Sequence, residues 1–183
     1  MAGATFLVSD THFGHAGVCK FMCEDGVTKI RPWTDAEEMN EAMVKMWNET
    51  VRPTDKVYHL GDVVINRRYL PILDRLNGDK VLIKGNHDIF RLEEYTKYFR
   101  DIRSCHKMGE YILTHIPLHP DSLARWCGGN FHGHLHTNRV THYRKDIKMT
   151  VIDPRYFNVS VEQIGFKPIL FEDAVAKMKE QQA

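Results

Sequence analysis

Long apolar runs are missing from this chain, and so is a strong excess of charge of either sign. No stretch approaches the roughly 20 apolar residues that a membrane-crossing helix needs, which excludes that class. A formal net charge of +1 at pH 7 argues against the broad basic surface that grips long nucleic acid by its phosphates. Cysteine is sparse. Cys19, Cys23, Cys105 and Cys127 lack the paired spacing of a zinc clip and read as ordinary cytosolic thiols. Cys19 and Cys23, four apart beside Phe21 and Met22, suggest a packed helical turn. The opening Met-Ala-Gly-Ala-Thr carries no charged leader region, so a soluble, cytoplasmic protein is expected. Repeats, linkers and low-complexity tracts are also absent. A single domain over 1–183 is expected, since 183 residues with 43% hydrophobic content can bury a sizeable core and leave no room for a large cap.

What the chain does have is a series of polar clusters: Asp10-Thr11-His12, Gly61-Asp62, Gly85-Asn86-His87-Asp88, Thr114-His115 and Gly133-His134-Leu135-His136. Most follow a short apolar or β-branched run: Thr5–Val8, Lys56–Tyr58, Lys80–Ile83 and Tyr111–Leu113 are expected strands. In open α/β sheets ligands collect beyond the carboxyl ends of strands, so distant clusters can meet at one edge. Asp10 and His12 are two apart, as are His134 and His136, and in extended backbone each pair faces one side. Gly61, Gly85 and Gly133 each precede a candidate ligand, where a sharp turn or a close approach needs a missing Cβ. Carboxylates, an amide and imidazoles in this number form the donor set of a two-metal hydrolase.

Between the clusters the pattern reads as connecting helices. Thr34-Asp-Ala-Glu37 resembles a capping box that opens a helix to about Thr50, with Ala36, Met39, Met43 and Trp47 on its core face. Arg67–Leu76 and Arg91–Tyr98 are expected helices, residues 137–148 a hairpin or loop, Tyr156–Val161 a strand and Phe171–Lys179 a last helix, acidic early and basic late. Alternating strands and helices favour an α/β class without fixing strand order.

The ordered set Asp-x-His, Gly-Asp, Gly-Asn-His-Asp, His, Gly-His-x-His resembles the calcineurin-like metallophosphoesterase superfamily and spans residues 10 to 136. Ser9-Asp-Thr-His-Phe-Gly-His15 and Tyr58-His-Leu-Gly-Asp62 are similar to its small single-domain bacterial and phage members. The resemblance implies a four-layer α/β/β/α sandwich with two mixed sheets. It implies one metal on Asp10, His12 and His136, and a second on Asn86, His115 and His134, with Asp62 bridging. It further implies that His87 stabilises the transition state and protonates the leaving oxygen, with Asp88 orienting its ring.

The chemistry follows from charge. Two divalent ions bring four positive charges against two from Asp10 and Asp62, and a bridging hydroxide leaves about one, so an anion is attracted. Bound water acidified from about 15.7 to about 7 supplies the nucleophile, and no protein nucleophile is required. Imidazole-rich sites suit manganese, iron, nickel or zinc over calcium or magnesium, and the resemblance favours manganese. The expected activity is hydrolysis of phosphodiesters or cyclic nucleotides by metal-bridging hydroxide, with a small phosphorylated partner such as a nucleotide. A nuclease and a non-catalytic scaffold are the alternatives. His15, Arg67 and Arg125, the last beside Trp126, are candidate substrate contacts; a solvated helix face for Arg67 and Arg68 and plain packing for Trp126 are the rival readings. His59 is expected in strand packing with a hydrogen bond, and His106, His132 and His142 as surface or core groups.

Overall fold

The four strands expected before a cluster all form and end at it, whereas the strand expected over Tyr156–Val161 stops at Asn158. In chain order the elements are β1 (Thr5–Val8), α1 (Ala36–Thr50), β2 (Lys56–His59), β3 (Asp79–Ile83), α2 (Leu92–Tyr95), β4 (Asp101–Arg103), β5 (Cys105–Met108), β6 (Tyr111–Thr114) and β7 (Gly129–His132). They continue with β8 (Thr141–Arg144), β9 (Met149–Ile152), β10 (Tyr156–Asn158), β11 (Ile169–Leu170) and α3 (Phe171–Gln182). This is a computed structural model; it describes residues 3–23, 25–125 and 128–183, with 124 and 125 in backbone only.

Two mixed sheets face one another. The first has five strands in the order β11-β1-β2-β3-β4, parallel apart from β11. The second has four in the order β10-β7-β6-β5, parallel apart from β5. Between them, Leu7, Tyr58, Val81 and Ile83 of the first sheet pack against Tyr111, Leu113 and Phe131 of the second. Ala174 and Met178 of α3 join that layer, where the helix runs beside β1, β10 and β11.

The outer face of the first sheet presents Phe6, Val8, Val57 and Leu82 to Met39, Met43, Val44 and Trp47 of α1. Full burial of each such apolar side chain contributes roughly 1.5–3 kcal/mol. Trp47 also donates its indole N–H to the Asn77 carbonyl at 2.9 Å. The outer layer over the second sheet is thinner. Ile112 and Tyr156 meet Leu123 of a 3-10 segment, Pro120–Arg125, with Leu118 and Val140 beside them. The fold is thus the mixed α/β sandwich expected, with helices flanking two sheets.

Several local expectations shift. The cap of α1 is Asp35, whose carboxylate accepts from Glu38 N–H at 2.8 Å, one residue later than the Thr34-to-Glu37 frame; Thr34 instead donates to Glu38. Arg67–Arg75 is a 3-10 helix and contains Pro71, a residue whose ring clashes with the carbonyl four residues back in an α-helix. The helix expected over 91–98 is the single turn of α2. The basic stretch after His136 enters the β8–β9 hairpin. Cys19 and Cys23 do not share a helical turn: Cys23 N–H bonds the Thr28 carbonyl at 2.7 Å and Ile30 N–H the Phe21 carbonyl at 2.9 Å, so the chain doubles back. Cys127 lies outside the described residues.

Candidate metal centre

The loops that carry the clusters leave the carboxyl ends of parallel strands. Asp10 and His12 follow β1, Asp62 follows β2, Asn86 and His87 follow β3, His115 follows β6, and His134 and His136 follow β7. The two sheets are tied together at this end. Ser9 and Ser160 form a parallel bridge, with Ser9 N–H on the Val159 carbonyl at 3.0 Å and Val161 N–H on the Ser9 carbonyl at 3.1 Å.

Backbone conformation at these loops differs from expectation. Asp10, His12, Asp62, His134 and His136 all have positive φ, of 59°, 48°, 58°, 70° and 51°. The Asp-x-His and His-x-His pairs therefore meet through left-handed residues and not through extended chain. Such φ values are uncommon for side chains with a Cβ, although Asp and His tolerate them better than most, and they concentrate where function holds the backbone. Among the described residues only Lys148 and Phe166 are other non-glycine examples. The expected role of glycine holds: a Cβ on Gly85 would lie 2.2 Å from Asp62 Oδ1, and one on Gly133 2.0 Å from Ser9 Oγ.

The donors gather as two triads, Asp10 with His12 and His136, and Asp62 with His115 and His134, the donor atoms of each within 4.8 Å of one another. Asn86 closes on the second, its Oδ1 2.8 Å from His115 Nε2 and 2.9 Å from His134 Nδ1. Between the triads lies Asp62 Oδ2, 3.6 Å from His12 Nε2 and 3.4 Å from His115 Nε2.

The remaining atoms of these side chains are tied by the protein. Asp10 Oδ2 accepts from Ser160 Oγ and His134 N–H, both at 2.9 Å, while Asp10 Oδ1 has no partner. Asp62 Oδ1 accepts from His87 N–H at 2.8 Å. His115 Nδ1 donates to the Leu60 carbonyl at 2.7 Å, and His136 Nδ1 to Glu162 Oε1 at 3.1 Å. Both ring nitrogens of the buried His12 are without a partner. Buried polar atoms are rarely left unpaired, and two of these, Asp10 Oδ1 and His12 Nε2, lie 3.8 Å apart, as donors to a shared ion would. The donor set fits a pair of divalent cations.

Charge reinforces the grouping. Burial alone would raise the Asp10 carboxyl, but His12, His115 and His136 hold it well below the usual range. Burial pushes the His12 and His134 imidazoles down, toward the neutral form that binds metal. His115 and His136 move up despite burial, because Asp62 and Glu162 respectively face them.

His87 stands exposed on the same rim, its ring 5.5 Å from that of His12. Asp88 does not orient it. Its buried carboxylate accepts instead from three backbone N–H groups, Asp62 and Gly85 at 2.8 Å and Val63 at 3.0 Å, so it pins the Asp62 and Gly85 loops together. His15 lies near the site, its ring 5.7 Å from His12. Arg67 does not line the cleft at the triads; it pairs with Glu94 at 3.1 Å and sits over Phe90. The Arg125 side chain and Trp126 lie outside what the structure describes. His59 is a fully buried strand residue bonded to Thr11 Oγ1 at 3.0 Å, as expected, and burial pushes it down to about 3. His132 is a core group, donating to the Gly133 carbonyl.

Three supporting residues escaped sequence reasoning: Ser160, Glu162 and Arg31. The guanidinium of the fully buried Arg31 reaches the carbonyls of Asp10 and Thr11 and, at 2.7 and 2.8 Å, Glu162 Oε1. No motif marks these positions; a lone Arg or Glu carries no spacing signal.

No family model matches the chain. An uncharacterized protein of Methanocaldococcus jannaschii, MJ1445, is 36% identical over 187 residues, covering 96% of this chain and 90% of that protein. The crystal structure of AQ665 from Aquifex aeolicus, described as of unknown function, has a TM-score of 0.67 and 26% identity, covering 96% of this chain and 99% of its own. Nuclease MPE of Pseudomonas putida is more distant, with a TM-score of 0.45 and 21% identity over 72% of this chain and 61% of that one. The ordered motifs that resemble the calcineurin-like metallophosphoesterases close here into paired donor clusters where the two sheets meet, and the chain belongs to one family with the Methanocaldococcus protein.

Proposed function

We propose that this protein is a phosphoesterase that works with two divalent cations and acts on small phosphodiesters, cyclic nucleotides included. The observation that carries this reading is the pair of unpaired donors, Asp10 Oδ1 and His12 Nε2, beside an Asp62 Oδ2 that lies between imidazoles of both triads. Asp10, His12 and His136 would hold one ion, Asn86, His115 and His134 the other, and Asp62 both. When bound, the cations supply positive charge to grip phosphate oxygens and to acidify a water that serves as nucleophile.

The chain's own residues do the rest. Ser160 and His134 N–H fix the Asp10 carboxylate so that one oxygen stays turned inward. Asp88, through three backbone N–H groups, fixes the loop that presents Asp62. His87, on the rim beside His12, is placed to stabilise the phosphoryl oxygens and give a proton to the departing alkoxide. An alkoxide leaving group needs that proton more than a phenoxide does, which brings diesters within reach. Manganese is the proposed ion, with iron, nickel and zinc the alternatives. The cleft at the triads, of about 370 Å³, suits a small substrate better than a duplex.

The test is metal removal and return. After chelation, manganese should restore hydrolysis of bis(p-nitrophenyl) phosphate with two ions bound per chain, and Asp62→Asn should abolish both. Full activity in the chelated, ion-free protein would overturn the reading.

A further inference from the structure

Between the Asp10–His12 loop and α1, residues 16–23 and 25–30 belong to neither sheet and to no helix. They are nevertheless held firmly. His15 N–H bonds the His12 carbonyl at 3.0 Å, Met22 and Lys29 form an antiparallel bridge, and Arg31, at their far end, is bonded to the carbonyls of Asp10 and Thr11. Val18 and Cys19 turn inward to the core. Phe21 does not. Its ring is 50% exposed, joins no core cluster, and stands edge-on to His15 with centroids 5.8 Å apart. Together His15, Val18, Phe21 and Ile30 form one wall of the cleft whose other lining includes His12, His87, His134 and His136.

A large aromatic ring left half in water beside the donor clusters, on a strap anchored to the ligand loop, buries less apolar surface than a core position would. Its value lies in what it covers. We propose that this wall is the seat for the organic group of the substrate, and that the group is a flat ring such as a nucleobase, laid against the face of Phe21 while its phosphate reaches the triads. A flat ring matches that face because aromatic stacking tolerates any π-surface. The cleft volume of about 370 Å³ is at the small end of ligand sites and accommodates one such ring with its phosphate. This inference rests on the phosphoesterase reading and names its substrate class.

The experiment uses phosphonates, whose carbon–phosphorus bond is not hydrolysed, so binding is read without turnover. Calorimetry on the manganese-loaded protein compares methyl-, cyclohexyl- and phenylphosphonate with nucleoside 5′-methylenephosphonates. Phenyl and nucleoside compounds should bind about tenfold tighter than methyl or cyclohexyl, the order of factor one aromatic stack provides. A preference for nucleoside over phenyl would identify a base as the ring, and equal affinity an aromatic ring of any source. Phe21→Ala should erase the preference and leave methylphosphonate binding unchanged, while Phe21→Trp should keep it. Because Phe21 lies outside the core, neither variant endangers the fold. Equal affinity for all the phosphonates, or a preference that survives Phe21→Ala, would overturn the ring seat alone. If none binds in a manganese-dependent way, the phosphoesterase reading falls and takes this one with it.

Discussion

At the level of single residues, the site is defined by which atoms the protein leaves unpaired. His87 is the clearest case, since its backbone N–H fixes Asp62 Oδ1 while its ring stays out of both triads. Removing the ring should therefore separate chemistry from assembly: His87→Ala is expected to lower turnover of a cyclic nucleotide, whose leaving group is an alkoxide, by about 10²–10⁴-fold, the range of a general acid, with two ions still bound. Rapid kinetics and metal analysis on the same sample check this, and unchanged turnover would remove the proposed role. Sequence made the donors legible because most sit in a short motif with a glycine or a second donor nearby, and His115 directly after an apolar run. It could not reveal that Asp10, His12, Asp62, His134 and His136 adopt left-handed backbone. Nor could it separate Asp88 from His87: adjacency suggests a shared task, but the buried Asp88 carboxylate is spent on three amides.

Among the secondary-structure elements and their connections, long-range partners matter more than local pattern. Glu162, beyond β10, accepts from His136 and Arg31 and so couples a donor of the second sheet to the loop after β1. Glu162→Gln should keep an oxygen acceptor for His136 but lose the charge that raises the ring's basicity. Manganese affinity at that triad is expected to fall by about 10–100-fold, the usual effect of removing such support. A metal titration by calorimetry measures it, and an unaltered isotherm would refute it. A second tie joins the start of β1 to the turn after α1, where Asp55 accepts from Ala4 N–H and Arg52. The Arg52 side chain, with help from backbone N–H groups, holds the Asp55 carboxyl down from 3.8 to about 2. A carboxyl lowered in the folded state stabilises above its ordinary value, and that stabilisation is lost as the group protonates. Urea midpoints of the native chain and Asp55→Asn should thus converge as pH falls from 3.8 to about 2; a gap of constant size would count against it. The register of α1 could be read because Met39, Met43 and Trp47 repeat on one face. The strap of residues 16–23 and 25–30 could not, because its shape comes from Arg31 and from pairing between Phe21 and Ile30.

Over the whole molecule, the two sheets meet at the metal centre, and each triad takes donors from both. Asp10 and His12 come from the first sheet and His136 from the second; Asp62 and Asn86 come from the first and His115 and His134 from the second. Ligands that bind only the folded state raise its stability, by about 4 kcal/mol for an ion at 1,000 times its dissociation constant. Manganese should accordingly raise the melting temperature of the chelated protein, and Asp62→Asn should cancel most of the gain; equal melting curves with and without metal would contradict it. The fold class was legible from the alternation of strands and helices, whereas β4, β5 and β11, short and weakly apolar, gave no pattern to follow.

The Ser9–Ser160 bridge has a consequence for motion. With a handful of backbone bonds joining the sheets there, the ion-free protein should open locally along this line while the apolar layer behind it stays packed. Deuterium uptake at the amides of Ser9 and Val161 would then slow sharply once cations bind, recording occupancy of the centre from outside it.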